Sequence, residues 1–234
     1  MNINFSEYLN CLKIGLSYVP STLLLALATL IAGAILGGAI AVVRVFKVRG
    51  FAQFFAFFIA IMKAIPTNLI MIISNLLLTN YFADIMKNLH LNIQIKDFNM
   101  IYLAGFALMV SSISALSESI RGALMSVPEA QYEAGYSVGL TKRQTFFRII
   151  APQAFLVLLP SLTGDIITLI KMTSLASLVG VMDILNGSIK YANTSYCFLE
   201  AYLAAATIYW GLSIILGIIG KTYEGKVGKY RELI

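Results

Sequence analysis

Long apolar runs broken by short charged stretches organise this chain. Five segments reach or approach the length of about 20 apolar residues that a helical membrane crossing needs. They lie near residues 19–43, 51–78, 100–117, 155–170 and 199–219. The runs are far too long for barrel strands, so the pattern predicts an all-α membrane protein. A shorter amphipathic stretch, Phe5–Ser17, precedes the first run and reads as an interfacial helix. The first run is too long for a cleaved signal peptide, and its cations Arg44, Lys47 and Arg49 follow it rather than precede it. No repeat, linker or low-complexity segment divides residues 1–234, so one transmembrane domain is expected.

Composition agrees with that reading. Of the 234 residues, 59% are hydrophobic and 12% charged. A soluble domain carries about 25% charged residues. The net charge of +6 would raise nucleic acid as a partner for a soluble protein; here it raises topology instead. With an odd number of spans the ends lie on opposite sides. Placing the C-terminus inside gathers eleven cations on the cytoplasmic face: Arg44, Lys47, Arg49, Arg121, Lys142, Arg143, Arg148, Lys221, Lys226, Lys229 and Arg231. Four remain outside: Lys13, Lys87, Lys96 and Lys190. The positive-inside rule therefore predicts an external N-terminus.

One charged block interrupts the pattern. Residues 128–152, between the third and fourth runs, read PEAQYEAGYSVGLTKRQTFFRIIAP. Pro128 suits the first turn of a helix, and the acidic residues that follow suit its positive end. Gly139 is a natural stop and Thr141 a good N-cap for a second helix beginning at Lys142. The block predicts a helix–turn–helix on the cytoplasmic surface. Glu133 offers a carboxylate to a partner's cation, and the small Ala134 and Gly135 would let a partner approach closely. Packing under its own bundle is the plainer use of such a loop.

Ions within the runs are functional candidates by default, because a charge at the bilayer centre costs about 2.5–3.5 kcal/mol or more. Lys63 lies three residues before Pro66, which frees a backbone carbonyl and is expected to kink the helix. Asp165 lies deep in the fourth run and Lys171 at its outer end, followed by Thr173 and Ser174. An amino acid zwitterion needs an acceptor for its ammonium and donors for its carboxylate, and Asp165 with Lys63 or Lys171 supplies both. A structural Lys63–Asp165 pair and a snorkelling Lys171 are the plainer alternatives. Glu118 and Arg121 are spaced for a local ion pair, with a gate as the other reading.

Other chemistry has no visible carrier. A phosphate-binding G-x-x-x-x-G-K-[ST] is missing, since Gly139-Leu140-Thr141-Lys142 lacks the leading glycine and the loop length. His90 is solitary, no cysteine spacing suits a metal, and no cofactor is expected. Cys11 and Cys197 fall on the outer side, where a disulfide is chemically allowed; free thiols are the expectation. Trp210, Tyr191, Tyr196 and Tyr202 suit interfacial anchoring.

The charged block resembles the EAA loop of bacterial ABC-importer permeases. Glu133-Ala134 is followed in register by Gly139, Ile149 and Pro152, with Gly135 in place of the second Ala and Ala151 in place of a Leu. Gly15-Leu16 with Thr22-Leu23, Ser117-Glu118 with Arg121-Gly122, and Ser126-Val127-Pro128 resemble segments of the polar amino acid subfamily. Lys171 with Thr173-Ser174-Leu175 does so too, although Met172 replaces the usual Asp or Asn. Lys63-Ala64-Ile65-Pro66 stands where that subfamily has Arg-Gly-Thr-Pro. The resemblance implies a type I ABC importer permease (MetI-like) architecture in a bacterial cell membrane. It implies ABC ATPase subunits docked on the loop, with ATP hydrolysis on those subunits. It also implies an extracellular or periplasmic solute-binding protein and a second permease chain, identical or related. The implied cargo is a polar amino acid, with cystine, Gln, Glu, Arg and His all open. The alternatives are a self-sufficient ion- or proton-coupled carrier, or an ABC permease for another solute.

Overall fold

The computed structural model describes residues 4–90 and 94–231. They form ten α-helices, with no strand among the described residues. In chain order these are α1 (Phe5–Ser17), α2 (Val19–Val45), α3 (Phe51–Ala64), α4 (Thr67–Asn88), α5 (Ile101–Met125), α6 (Glu129–Ser137), α7 (Lys142–Thr145), α8 (Ala151–Met172), α9 (Ile184–Ser195) and α10 (Phe198–Arg231). Five helical runs are long and apolar enough to cross a membrane: α2, α4, α5, the continuous run through α8, and α10. The side chains of Lys229 and Arg231, two of the cations expected on the cytoplasmic face, lie outside the described residues.

The helix expected over Phe5–Ser17 forms as α1, capped by Asn4, whose side-chain oxygen accepts from the Ser6 and Glu7 amides at 3.1 and 3.5 Å. The second apolar run departs from expectation. It is not one kinked helix over 51–78 but two helices. α3 ends at Ala64, Ile65 is extended (φ −88°, ψ 122°), and Pro66 caps α4, which continues to Asn88. The residue before a proline avoids the helical region, and proline itself fits a helix start, so the pair ends one helix and begins another. The third and fifth runs are longer than their apolar cores, because polar residues continue both helices.

α2 and α5 form the central pair. Gly33 faces Ser112, and a Cβ on Gly37 would lie 2.8 Å from the Ile113 carbonyl oxygen. Small residues of this kind let membrane helices approach backbone to backbone, where apolar burial offers no drive against lipid. Leu25 of α2, Met71 of α4, Leu103 and Leu108 of α5, and Leu169 of α8 close one core around that pair. A second core holds the end of the bundle at α6 and α7: Ala123, Leu124, Val127, Ile150 and Ala154, with Tyr132, Phe146 and Ile149 packed half-buried against it.

Candidate functional site

The charged block folds as the expected helix–turn–helix. Pro128 precedes α6 as its cap, one position earlier than expected, and Glu129 opens the first turn. Residues three and four apart share a helix face. Ala130, Glu133, Ala134 and Ser137 are exposed along one such face of α6, while Gly135 is buried on the other. Gly139 adopts φ +80°, a left-handed turn that suits glycine. There the Leu140 amide donates to the Gly135 carbonyl at 3.0 Å. Thr141 caps α7 through a reciprocal pair with Gln144. The Gln144 amide donates to Thr141 Oγ1 at 3.3 Å, and the Thr141 amide donates to Gln144 Oε1 at 2.9 Å. A π-helical turn over Phe146–Ile150 then joins α7 to α8 without a break.

Gly135 corrects the expectation that it lets a partner approach. It lies against fully buried Thr145, and a Cβ at this position would sit 2.5 Å from Thr145 Cγ2. The small residue there seats α6 on its own bundle. Ile149 is half-buried against the second core and Pro152 is exposed in the first turn of α8. The motif thus divides: Glu133 and Ala134 face outward, Gly135 and Ile149 hold the base, and Gly139 makes the corner. Gln153 Nε2 donates to Gln131 Oε1 at 3.2 Å, tying the foot of α8 to α6. Burial in the same base pushes the Tyr132 phenol up. Exposed Tyr136, Val138 and Phe147 widen the outward surface. Sequence reading missed them because they look like ordinary apolar residues.

The intramembrane candidates do not all converge. Lys63 is exposed at the end of α3, and Pro66 is exposed at the break. The alternative Lys63–Asp165 ion pair is not formed; the two ion pairs among the described residues both end on Glu118. Asp165 instead accepts from Ser119 Oγ at 2.6 Å. It lines a cavity of about 40 Å³ with Ser111, Ser112, Thr168 and Met172. Ser111 in turn shares a hydrogen bond of 2.9 Å with Thr67, just beyond the Pro66 break. Such a space holds a few waters but no amino acid. Lys171 is exposed at the far end of α8. Thr173 is fully buried, with its hydroxyl donating to the Ile170 carbonyl at 2.6 Å. Ser174 is half-buried and donates to the Lys171 carbonyl at 2.7 Å.

Two charged sites were not anticipated as such. Arg44 of α2 joins the expected Glu118–Arg121 pair, approaching Glu118 at 2.6 Å. Asp183, after the 3-10 segment Thr173–Val179, is almost fully buried. It accepts from the Asn186 amide at 2.8 Å and from the Tyr209 hydroxyl at 2.9 Å. Burial raises the pKa of its carboxyl, and those hydrogen bonds oppose the rise. Its only sequence signal was that of an N-cap before α9.

Comparison with known proteins matches the same features. The chain is 34% identical over 234 residues to the probable amino-acid ABC transporter permease protein PatM of Vibrio harveyi, covering 98% of each. It is 32% identical over 210 residues to the L-cystine transport system permease protein TcyB of Bacillus subtilis (strain 168), covering 89% of this chain and 84% of that one. Its fold superposes with a TM-score of 0.80 and 22% identity on a crystal structure of an amino acid ABC transporter with histidines, covering 97% of this chain and 100% of that one. It superposes with a TM-score of 0.71 and 17% identity on an inward-facing MetNI methionine ABC transporter, covering 91% and 95%. Residues 16–229 match the model for the binding-protein-dependent transport system inner membrane component. With helices long and apolar enough to cross a membrane, a helix–turn–helix on a packed base and these relatives, the chain belongs to that family, the multi-pass inner-membrane permeases of bacterial ABC importers.

Proposed function

We propose that this chain is the translocation subunit of an importer for a polar amino acid, with cystine among the candidates. It is fed from outside by a binding protein and driven from inside by a separate ATPase. The observation that carries the reading is the loop's construction. Its outward face, with Glu133 and Ala134, is free, while its base is fastened to the foot of α8 through Gly135–Thr145, Ile150 and the Gln131–Gln153 bond. A push on α6 by a docked ATPase is thereby delivered to α8, the helix that carries Asp165. The outward Glu133 receives a cation from that partner, and exposed Tyr136, Val138 and Phe147 give apolar contact.

Asp165 and its hydroxyl neighbours supply acceptors for a substrate ammonium. Exposed Lys63 and Lys171 are the cations available to a carboxylate. The cavity at Asp165 is too small for an amino acid within one chain, so a second permease chain, identical or related, completes the path. Orientation follows the cations: the α2–α3 turn, α6–α7 and the end of α10 lie in the cytoplasm, with α1 and α9 outside.

The test is co-purification with the partner ATPase, reconstitution into liposomes, and uptake of a panel of labelled amino acids including cystine. Uptake that needs internal ATP and added binding protein is expected. Uptake by the chain alone, driven by a proton or sodium gradient without ATP, would overturn the importer reading in favour of a carrier.

A further inference from the structure

The centre of the contact between α1 and the α9–α10 region is built of small side chains, with Tyr8, Leu12, Ile189 and Tyr191 packed around it. Fully buried Cys11 sits among Ala192, Cys197, Ala201 and Ala204. Contacts of this size bring backbones close but bury little apolar area per residue. Polar bonds add to the attachment. The Asn4 amide donates to Glu200 Oε1 at 3.0 Å, and the Tyr8 hydroxyl donates to Thr207 Oγ1 at 3.0 Å. At the centre of the contact, Cys11 Sγ and Cys197 Sγ lie 3.8 Å apart, although 186 residues separate them in the chain. Cys197 reaches this position through a sharp turn. Tyr196 closes α9 in the left-handed region, φ +58°, and its amide donates to the Ala192 carbonyl at 2.8 Å. A bulky residue takes that conformation rarely, and only where its surroundings impose it.

We propose that Cys11 and Cys197 form an intramolecular disulfide that staples α1 to the α9–α10 junction. The proposal rests on the orientation given above, which puts both sulfurs on the oxidising, extracytoplasmic side, where such bonds form and persist. The thiols need to close from 3.8 Å to a bond of about 2.05 Å.

The oxidant is an external disulfide, carried by a small molecule or a thiol oxidoreductase. Both thiols are buried in the folded chain, so folded-state exposure favours neither; the exchange opens at Cys197. Its thiolate attacks one sulfur of the oxidant, forming a mixed disulfide and releasing one thiol. The Cys11 thiolate then attacks the Cys197 sulfur, and the second thiol leaves. The two protein protons end on the two thiols of the reduced oxidant, which also holds the electron pair. In the folded protein Cys11 is fully enclosed, and burial pushes its thiol up to about 12. Exchange therefore belongs to assembly, before α1 seats, and the finished bond is shielded from reductants.

The experiment blocks thiols in intact cells with acid and then a maleimide under denaturing conditions, followed by intact-mass measurement of the purified chain. Neither cysteine modified before reduction, and both modified after it, is the expected result. Two maleimides without reduction, or a mixed disulfide to a small molecule, would overturn the proposal. A parallel variant, Cys11→Ser/Cys197→Ser/Lys190→Cys, is probed with a membrane-impermeant maleimide on whole cells. Labelling there upholds the orientation, so unpaired native cysteines would then refute the disulfide alone. Labelling only after permeabilisation would refute the orientation and the proposal with it.

Discussion

Arg44 on α2 and Glu118 on α5 meet at 2.6 Å, and Arg121 holds the other carboxylate oxygen at 2.9 Å. One acid thus clamps two cations at the end of the central helix pair nearest the α6–α7 turn. The three side chains are mostly removed from solvent, with Glu118 24% and Arg44 13% exposed. Removing the acid leaves Arg44 enclosed without a counter-charge, while replacing both partners avoids that cost. Glu118→Ala is expected to lose about 1–3 kcal/mol after allowance for partial exposure. The Arg44→Ala/Glu118→Ala double variant is expected to lose less than the two single losses added. Thermal unfolding midpoints in detergent check both, and strictly additive losses would show that the clamp carries no coupling.

Gly135 packs against Thr145 with no room for a side chain. A methyl group at residue 135 overlaps Thr145 Cγ2 at 2.5 Å and Oγ1 at 2.8 Å. Gly135→Ala is expected to cost about 1–3 kcal/mol through overpacking, and to lower ATPase stimulation by shifting α6. Thr145→Ala removes the two closest of three crowding atoms, leaving Cβ at 3.1 Å, and with them a buried hydroxyl that has no hydrogen-bond partner. The Gly135→Ala/Thr145→Ala pair is therefore expected to recover most of the stimulation. Failure of that rescue, with the double variant folded, would place the effect of Gly135→Ala on the partner side of α6.

Local chemistry made much of this fold legible in the sequence. Apolar runs announced the crossings, Gly139 the corner, and Thr141 the second helix start. Pro66 was visible too, but its consequence was underestimated. Whether a proline kinks a helix or ends it depends on the conformation of Ile65, which composition does not reveal. Side-chain partners were less accessible. Arg44 lies 74 residues from Glu118, and Gly135 reads as an exposed small residue until Thr145 is placed beneath it. Asp165 was singled out for its depth in an apolar run, while its partner Ser119 gave no signal of its own.

Gly139 separates backbone effects from packing. It adopts φ +80°, and an added Cβ would meet nothing within 4 Å. Substitutions here act through the turn alone. Gly139→Val is expected to oppose the left-handed conformation by about 1–2 kcal/mol and to abolish coupling of ATP hydrolysis to uptake. Gly139→Asn, which tolerates that region, is expected to retain most of it. Measuring both activities in the reconstituted complex distinguishes the two. Equal losses in Val and Asn variants would show that the side-chain face, not the turn, is what the partner reads.

Asp183 provides a pH test outside the crossing helices. Burial raises its carboxyl pKa above the ordinary value of 3.8, so the folded state holds its proton to higher pH than the unfolded state does. The folded protein is therefore most favoured, as far as this group goes, below about 3.8. That advantage is lost as pH rises through the raised value, and is constant beyond it. Asp183→Asn keeps an acceptor for the Asn186 amide and removes the ionisation. Its stability relative to the native chain should rise across that window and then level off. Asp183→Leu should instead cost about 1–3 kcal/mol for each group left buried and unpaired, the Asn186 amide and the Tyr209 hydroxyl. Unfolding midpoints across a pH series check this, and a constant difference between native and Asn variants from pH 4 to 8 would mean that Asp183 titrates alike in both states.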